Sequence, residues 1–247
     1  MKKSIIVAIS ILFAFILLLL FVIINRDKIK ETFLNKQINK SYYYILKELI
    51  DCYGETKDIS INPGVNYAEL IDFNNDGIKE LFVIYTKKPY EYYINIFSYD
   101  ENSHEVKIKY SKNFNSGGFA YLENINFLYL DNIVLININE LQTDAGYIEG
   151  NYTIQEYLFD KYYQFKNNSF EELKLSRIKH IICDDLFNET TYLIEYELNK
   201  NPIEEELYNT YMQQYNKGFL KNIIINNGSA YLAEDFESPK EVLRKLK

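Results

Sequence analysis

The sequence holds no tryptophan and only two histidines, two cysteines, two methionines and four prolines in 247 residues. Each shortage closes a class of chemistry. Two histidines, His104 and His180, cannot build a multi-histidine zinc centre. Two cysteines, Cys52 and Cys183, cannot make a disulfide-dense scaffold, and their spacing leaves a single bridge between them open. Glycine is scarce, at nine, and no Gly-x-Ser-x-Gly elbow, glycine-rich phosphate loop or dinucleotide fingerprint occurs. Positive charge is also in deficit. The formal net charge is -8, and residues 1–27 hold three basic residues and one acidic, so the remainder carries -10. A body that acidic lacks the clustered Lys and Arg that neutralise phosphates, so no nucleic-acid partner is expected.

Long apolar runs are missing too, with one exception. Ile5 to Ile24 contains no charge and one polar residue, Ser10. At the helical rise, twenty residues reach about 30 Å, the thickness of a bilayer's hydrocarbon core. The run leads into Asn25 and Arg26 with no small-residue cleavage pattern and no cysteine for lipidation. Residues 1–27 therefore read as an uncleaved signal anchor, with the lipid bilayer as the partner of residues 5–24. Lys2 and Lys3 precede the run, and Arg26, Lys28 and Lys30 come after it. The flanking charges by themselves permit a cytoplasmic-facing body, but a short basic tail normally stays inside while a long C-terminal part crosses, and the body is expected outside the cell membrane.

Ile29, Phe33, Ile38, Tyr42, Ile45, Leu49 and Tyr53 recur at intervals of three to five. This spacing predicts an amphipathic juxtamembrane helix within 28–55, ending near Gly54; it either continues the membrane helix as a stalk or, the better use of its apolar stripe, packs onto the adjoining domain. Residues 56–247 then read as one extracytoplasmic domain. Short runs rich in Ile, Val, Tyr and Phe predict antiparallel strands at Tyr67–Ile71, Leu81–Thr86, Tyr92–Tyr99, Glu105–Tyr110, Phe127–Leu130, Ile133–Ile138, Tyr152–Phe165 and Phe170–Leu175. The hairpins Ile96–Ser103 and Tyr163–Phe170 resemble each other faintly. Asn201 as cap, Pro202 at the first turn and Glu204 predict a helix Pro202–Tyr215. After it come a strand Phe219–Ile225, a turn at Asn226–Gly228 and a short strand around Tyr231. Ser238-Pro239-Lys240-Glu241 marks a last short helix. The class is α+β: anchor, helix, mainly antiparallel β domain and C-terminal helices.

Asp72-Phe73-Asn74-Asn75-Asp76-Gly77-Ile78-Lys79-Glu80 is the most specific stretch. Oxygen-bearing side chains at loop positions 1, 3 and 5 with Gly at 6 match the first half of a calcium loop, because a hard cation wants converging oxygens. An EF-hand needs Glu at position 12, which is Val83 here, and Leu81–Tyr85 is strand-like. The loop resembles instead the nine-residue aspartate-rich calcium loop of FG-GAP and VCBS-type repeats, which joins two strands of a propeller blade. The resemblance puts Asp72, Asn74, Asp76, Ile78 (through its carbonyl) and Glu80 at the ligand positions and implies a structural Ca2+ and blade-like strands. It covers about twenty residues and one loop, and is similar to single-loop proteins tethered to membranes of low-GC, clostridial-type Gram-positive bacteria. A metal-free Asx-turn hairpin is the other reading of Asn-Asp-Gly.

Other constellations are thinner. Glu140, Asp144 and Glu149, with Tyr147 between them, form a loop-like acidic cluster of the kind a glycosidase needs. In a chain with 35 acidic residues, chance produces such groups. His180 and Cys183 have a helical spacing. Tyr42–Tyr44 and Tyr162–Tyr163 read as half-buried core edges. The function expected from these residues is a membrane-anchored binding or scaffolding protein of the cell envelope, its partner an envelope protein or cell-wall glycan. A cell-surface hydrolase working through Glu140, Asp144 and Glu149 is the alternative.

Overall fold

A computed structural model describes residues 15, 25–57, 62–89, 91–115, 120–148, 151–166, 169–183, 189–226, 230–232 and 237–247. The run 5–24, apart from Phe15, and Glu149 lie outside the described residues. Among the described residues, no helix is long and apolar enough to cross a membrane. Two compact units divide at Ser41 and Tyr42. The first contains most of helix α1 (Arg26–Tyr53), in which Phe33 is exposed and Ile38 buried.

The second unit, residues 42–247, is mostly antiparallel β. The strands are β1 (Gly64–Ile71), β2 (Glu80–Lys88), β3 (Glu91–Asp100), β4 (Glu105–Asn115), β5 (Ala120–Leu130), β6 (Ile133–Ile148), β7 (Asn151–Lys166), β8 (Ser169–Cys183), β9 (Glu189–Leu198), β10 (Asn201–Ile203), β11 (Phe219–Asn226) and β12 (Ala230–Leu232). Helices α2 (Glu205–Tyr215) and α3 (Pro239–Lys245) complete it. One sheet is the meander β1-β2-β3-β4; the other runs β10-β9-β8-β7-β6-β5-β11-β12. The two faintly similar hairpins therefore belong to different sheets.

Both sheets close over one core. Tyr67, Ile71, Phe82, Ile84, Ile94 and Ile96 of the small sheet pack with Ile125, Phe127, Ile136, Ile138, Tyr163 and Ile223 of the large one. Alternation does the sorting: strand residues two apart share a face, so apolar positions at period 2 turn inward together. The opposite face of the large sheet carries a second cluster, Leu128, Leu135, Tyr162, Leu175 and Tyr208, roofed by α2 through Tyr211, Met212 and Tyr215.

Helix α1 ends where expected. Gly54 has φ of 78°, and its N–H donates to Ile50 O at 2.8 Å. The buried stripe of its second half passes through Tyr42 and Leu46, the latter outside the predicted spacing, whereas Ile45 and Leu49 are only half-buried. Tyr42 is fully buried and its hydroxyl accepts from the Tyr99 N–H at 3.1 Å, fixing this half of the helix to β3. Of its neighbours, Tyr43 is half-buried and Tyr44 exposed.

Three expectations are corrected. Asn201 and Pro202 do not start a helix. Asn199 and Lys200 have φ of 51° and 70°, the positive pair of a two-residue hairpin turn, which draws Asn201–Ile203 into pairing with β9. Helix α2 begins after Glu204, which caps with no side-chain bond. Second, the 140–148 segment is no loop but the second half of β6, paired with β7 through Ile148↔Asn151. Third, His180 and Cys183 sit on strand β8, where an odd spacing puts them on opposite faces. Ser238 behaves as predicted: its hydroxyl accepts from the Glu241 N–H, and the Glu241 carboxylate accepts from the Ser238 N–H.

Candidate functional site

The Asp72–Glu80 segment is the connection between β1 and β2. Two residues take the left-handed conformation, Asn75 (φ 58°) and Gly77 (φ 88°), the second favoured by glycine. The two Asp72 carboxylate oxygens accept from the Asp76 N–H at 3.1 Å and the Gly77 N–H at 2.9 Å. Asp76 Oδ1 accepts from the Ile78 N–H at 2.8 Å, and its Oδ2 from the Asn74 amide at 2.8 Å. Asn74 Oδ1 in turn accepts from the Asp76 N–H at 3.2 Å. Asp72, Asn74 and Asp76 thus converge on one turn of backbone, as Asx-turn chemistry directs.

Glu80 behaves differently. It is 1% exposed, accepting from the Phe73 N–H at 3.2 Å and the Ser98 hydroxyl at 3.4 Å. Both donors are neutral. Burial first, then the nearby Asp76 and Asp72 carboxylates, weaken it as an acid and push its pKa up to about 7. The Tyr42 hydroxyl is likewise raised, by burial and then by Glu80. Among the described residues, no three His, Cys, Asp or Glu side chains are gathered as a metal-holding group. The donor set still suits a hard cation: every candidate ligand is oxygen, and among the described residues the bonds to the three carboxylates come from neutral donors. Asp72, Asn74 and Asp76 would hold Ca2+ from the loop side, with the Ile78 carbonyl and Glu80 completing the set.

The loop also sits at the joint between the sheets. Phe73, fully buried, packs its ring against Phe127 (6.0 Å between centroids) and Phe170 (5.2 Å) of the large sheet. Its carbonyl accepts from the Val134 N–H at 3.2 Å. The alternation of Asp and Asn with a Phe at position 2 is visible in the sequence; what Phe73 touches is not.

The other candidates stay apart. Glu140 is ion-paired with Lys161 across β6 and β7, and Asp144 is exposed. Four residues along a strand span roughly 13 Å, beyond the separation of about 5–9.5 Å that paired glycosidase carboxylates use. Cys52 is exposed and Cys183 buried, and both are free thiols. Compared with known proteins, the chain matches no family model, no curated protein and no solved structure.

Proposed function

We propose that this chain is a membrane-anchored, extracytoplasmic binding or scaffolding protein of the cell envelope, stiffened by one calcium-type loop. Residues 5–24 would span the bilayer, and the β domain would meet an envelope protein or cell-wall glycan. The observation that carries the loop's part is the place of Glu80: a buried carboxylate, bonded to neutral donors, beside two more carboxylates. A divalent cation there offsets charge that the fold otherwise leaves repelling itself. The four-stranded meander β1–β4, with the loop on its first hairpin, supports the FG-GAP and VCBS likeness, since such sheets are the unit of propeller blades. One blade cannot close a ring, and the meander packs its inner face against the large sheet.

Because Phe73 ties the loop to β5 and β6, a cation held there would brace the joint between the sheets, a structural role suited to millimolar extracellular calcium. Thermal melting of the full-length chain in detergent tests this. Calcium is expected to raise the Tm, and Asp72→Ala or Asp76→Ala to abolish the rise. No calcium response in the parent would overturn the loop's assignment. Protection of an introduced cysteine at position 167 from an impermeant maleimide in intact cells would overturn the extracytoplasmic placement.

A further inference from the structure

Strands β5 and β6 carry asparagine at alternate positions, Asn124 and Asn126 on one, Asn137 and Asn139 on the other. The register sets them directly opposite, Asn124↔Asn139 and Asn126↔Asn137. Since Ile125, Phe127, Ile136 and Ile138 face the inner core, all four asparagines lie on the outer face. Two rows result across the strands: Asn222, Asn126 and Asn137; then Asn124, Asn139 and Asp160. Asparagine is a poor strand former, so four facing one another carry a cost that the inner core does not explain.

These amides are held in place. The Asn126 amide donates to Asn137 Oδ1 at 3.0 Å and Asn139 Oδ1 at 3.2 Å, and the Asn139 amide donates to Asp160 Oδ1 at 2.5 Å. Asp160, itself 6% exposed, also takes the Tyr208 hydroxyl from α2. One group is left over: Asn126 is 4% exposed, and among the described residues its Oδ1 is a buried acceptor with no donor. The rows reach solvent at Asn222, which is exposed, and at the half-buried Asn124 and Asn139.

We infer that this asparagine face binds a neutral, hydroxyl-rich ligand, a saccharide chain. Hydroxyls both donate to and accept from the amides at the rim, and one that displaces a rim side chain would supply the donor that the covered Asn126 Oδ1 lacks. The one carboxylate of the rows is already occupied by Asn139 and Tyr208, so nothing selects an ionic ligand. The inference rests on the envelope-binding reading above and names its glycan.

The test adds a soluble β-1,4-linked N-acetylglucosamine tetramer to the full-length chain in detergent and tracks the asparagine side-chain amide signals by NMR. Saturable shifts at Asn124, Asn126 and Asn139 are expected. Asn124→Ala with Asn222→Ala, rim positions whose loss leaves the core intact, should weaken binding about tenfold with the Tm unchanged, the loss of one or two hydrogen bonds. Absence of any shift at millimolar tetramer, or equal affinity in the double variant, overturns the site. Sedimentation with purified cell walls separates the two readings. Walls that retain the double variant as well as the parent sink this site and spare envelope binding, whereas walls that release the parent sink both.

Discussion

Between the sheets, the core is built of Ile, Phe and Val with two buried tyrosines, Tyr67 and Tyr163, most of it without solvent contact. Under α2, on the other face of the same large sheet, the cluster is built mainly of Leu and Tyr. Inside, rings meet edge to face: Phe82 and Phe127 lie 4.9 Å apart at 76°, and Phe73 and Phe127 6.0 Å apart at 73°. Outside, Tyr162 and Tyr215 stack at 3.8 Å and 12°, while Tyr208 reaches Asp160. The outer hydroxyls need partners, so the outer cluster is positioned by hydrogen bonds as well as area. The inner one depends mainly on volume: of its buried members only Tyr67, which donates to Glu69, and Tyr163, which accepts from Lys112, carry bonded hydroxyls, and a void among the aliphatic and phenyl side chains has nothing to fill it.

That contrast sets the largest expected effect. Phe127→Ala leaves a cavity facing Tyr67, Phe73 and Phe82, and should cost roughly 3–5 kcal/mol in denaturant unfolding. Tyr215→Ala, at the half-covered end of α2, should cost clearly less, about 1–2 kcal/mol. Equal losses would break the distinction between the two clusters.

Next comes Glu80, the inner core's titratable neighbour. Its carboxyl is raised from 4.5 to about 7 in the folded chain, so between those values the folded state holds a proton that the unfolded state has released. The associated stability is complete below pH 4.5 and disappears as pH rises through 7, on the order of 3 kcal/mol. Glu80→Gln should flatten this part of the pH profile, read from denaturant midpoints without calcium. A parent whose stability climbs from pH 5 to 7 with no change in the variant would refute the assignment.

Much of this inner region is legible in the sequence. All ten predicted strands occur, β9 and β10 alone being missed among the described ones, because period-2 alternation and turn residues mark a half-buried strand without knowledge of its partners. Strand lengths are legible for β7, expected at Tyr152–Phe165 and found at Asn151–Lys166, but not for its neighbours: polar residues such as Asp144 or Lys179 look like strand ends, yet β6 and β8 continue to 16 and 15 residues by pairing with β7. The Asn199-Lys200 turn is hidden for a related reason: Pro202 and Glu204 give a helix signal, and lysine rarely advertises positive φ. At the loop, residue types point to Asp72, Asn74 and Asp76, but Glu80's burial and its contact with Ser98 depend on β3 and are written in no local pattern.

The outer cluster offers a finer test. Tyr208→Phe keeps the ring against Tyr196 (4.8 Å) and removes only the hydroxyl that meets Asp160. Asp160 keeps the Asn139 amide, so it is not stripped of donors, and the expected loss in denaturant unfolding is about 1–2 kcal/mol.

The smallest effect expected lies at the C-terminal helix, where both halves of a capping box are in place. Ser238→Ala removes an acceptor at 3.3 Å from the Glu241 N–H but leaves Glu241 free to accept from the residue 238 N–H at 2.9 Å. The helix has Pro239 at its start and buries Pro239 and Val242, so packing as well as capping holds it. About 1 kcal/mol should be lost, in line with other N-caps. If Glu241→Ala costs the same and the double variant costs no more than either single change, the two bonds act as one unit, and cap and core differ in kind rather than in size.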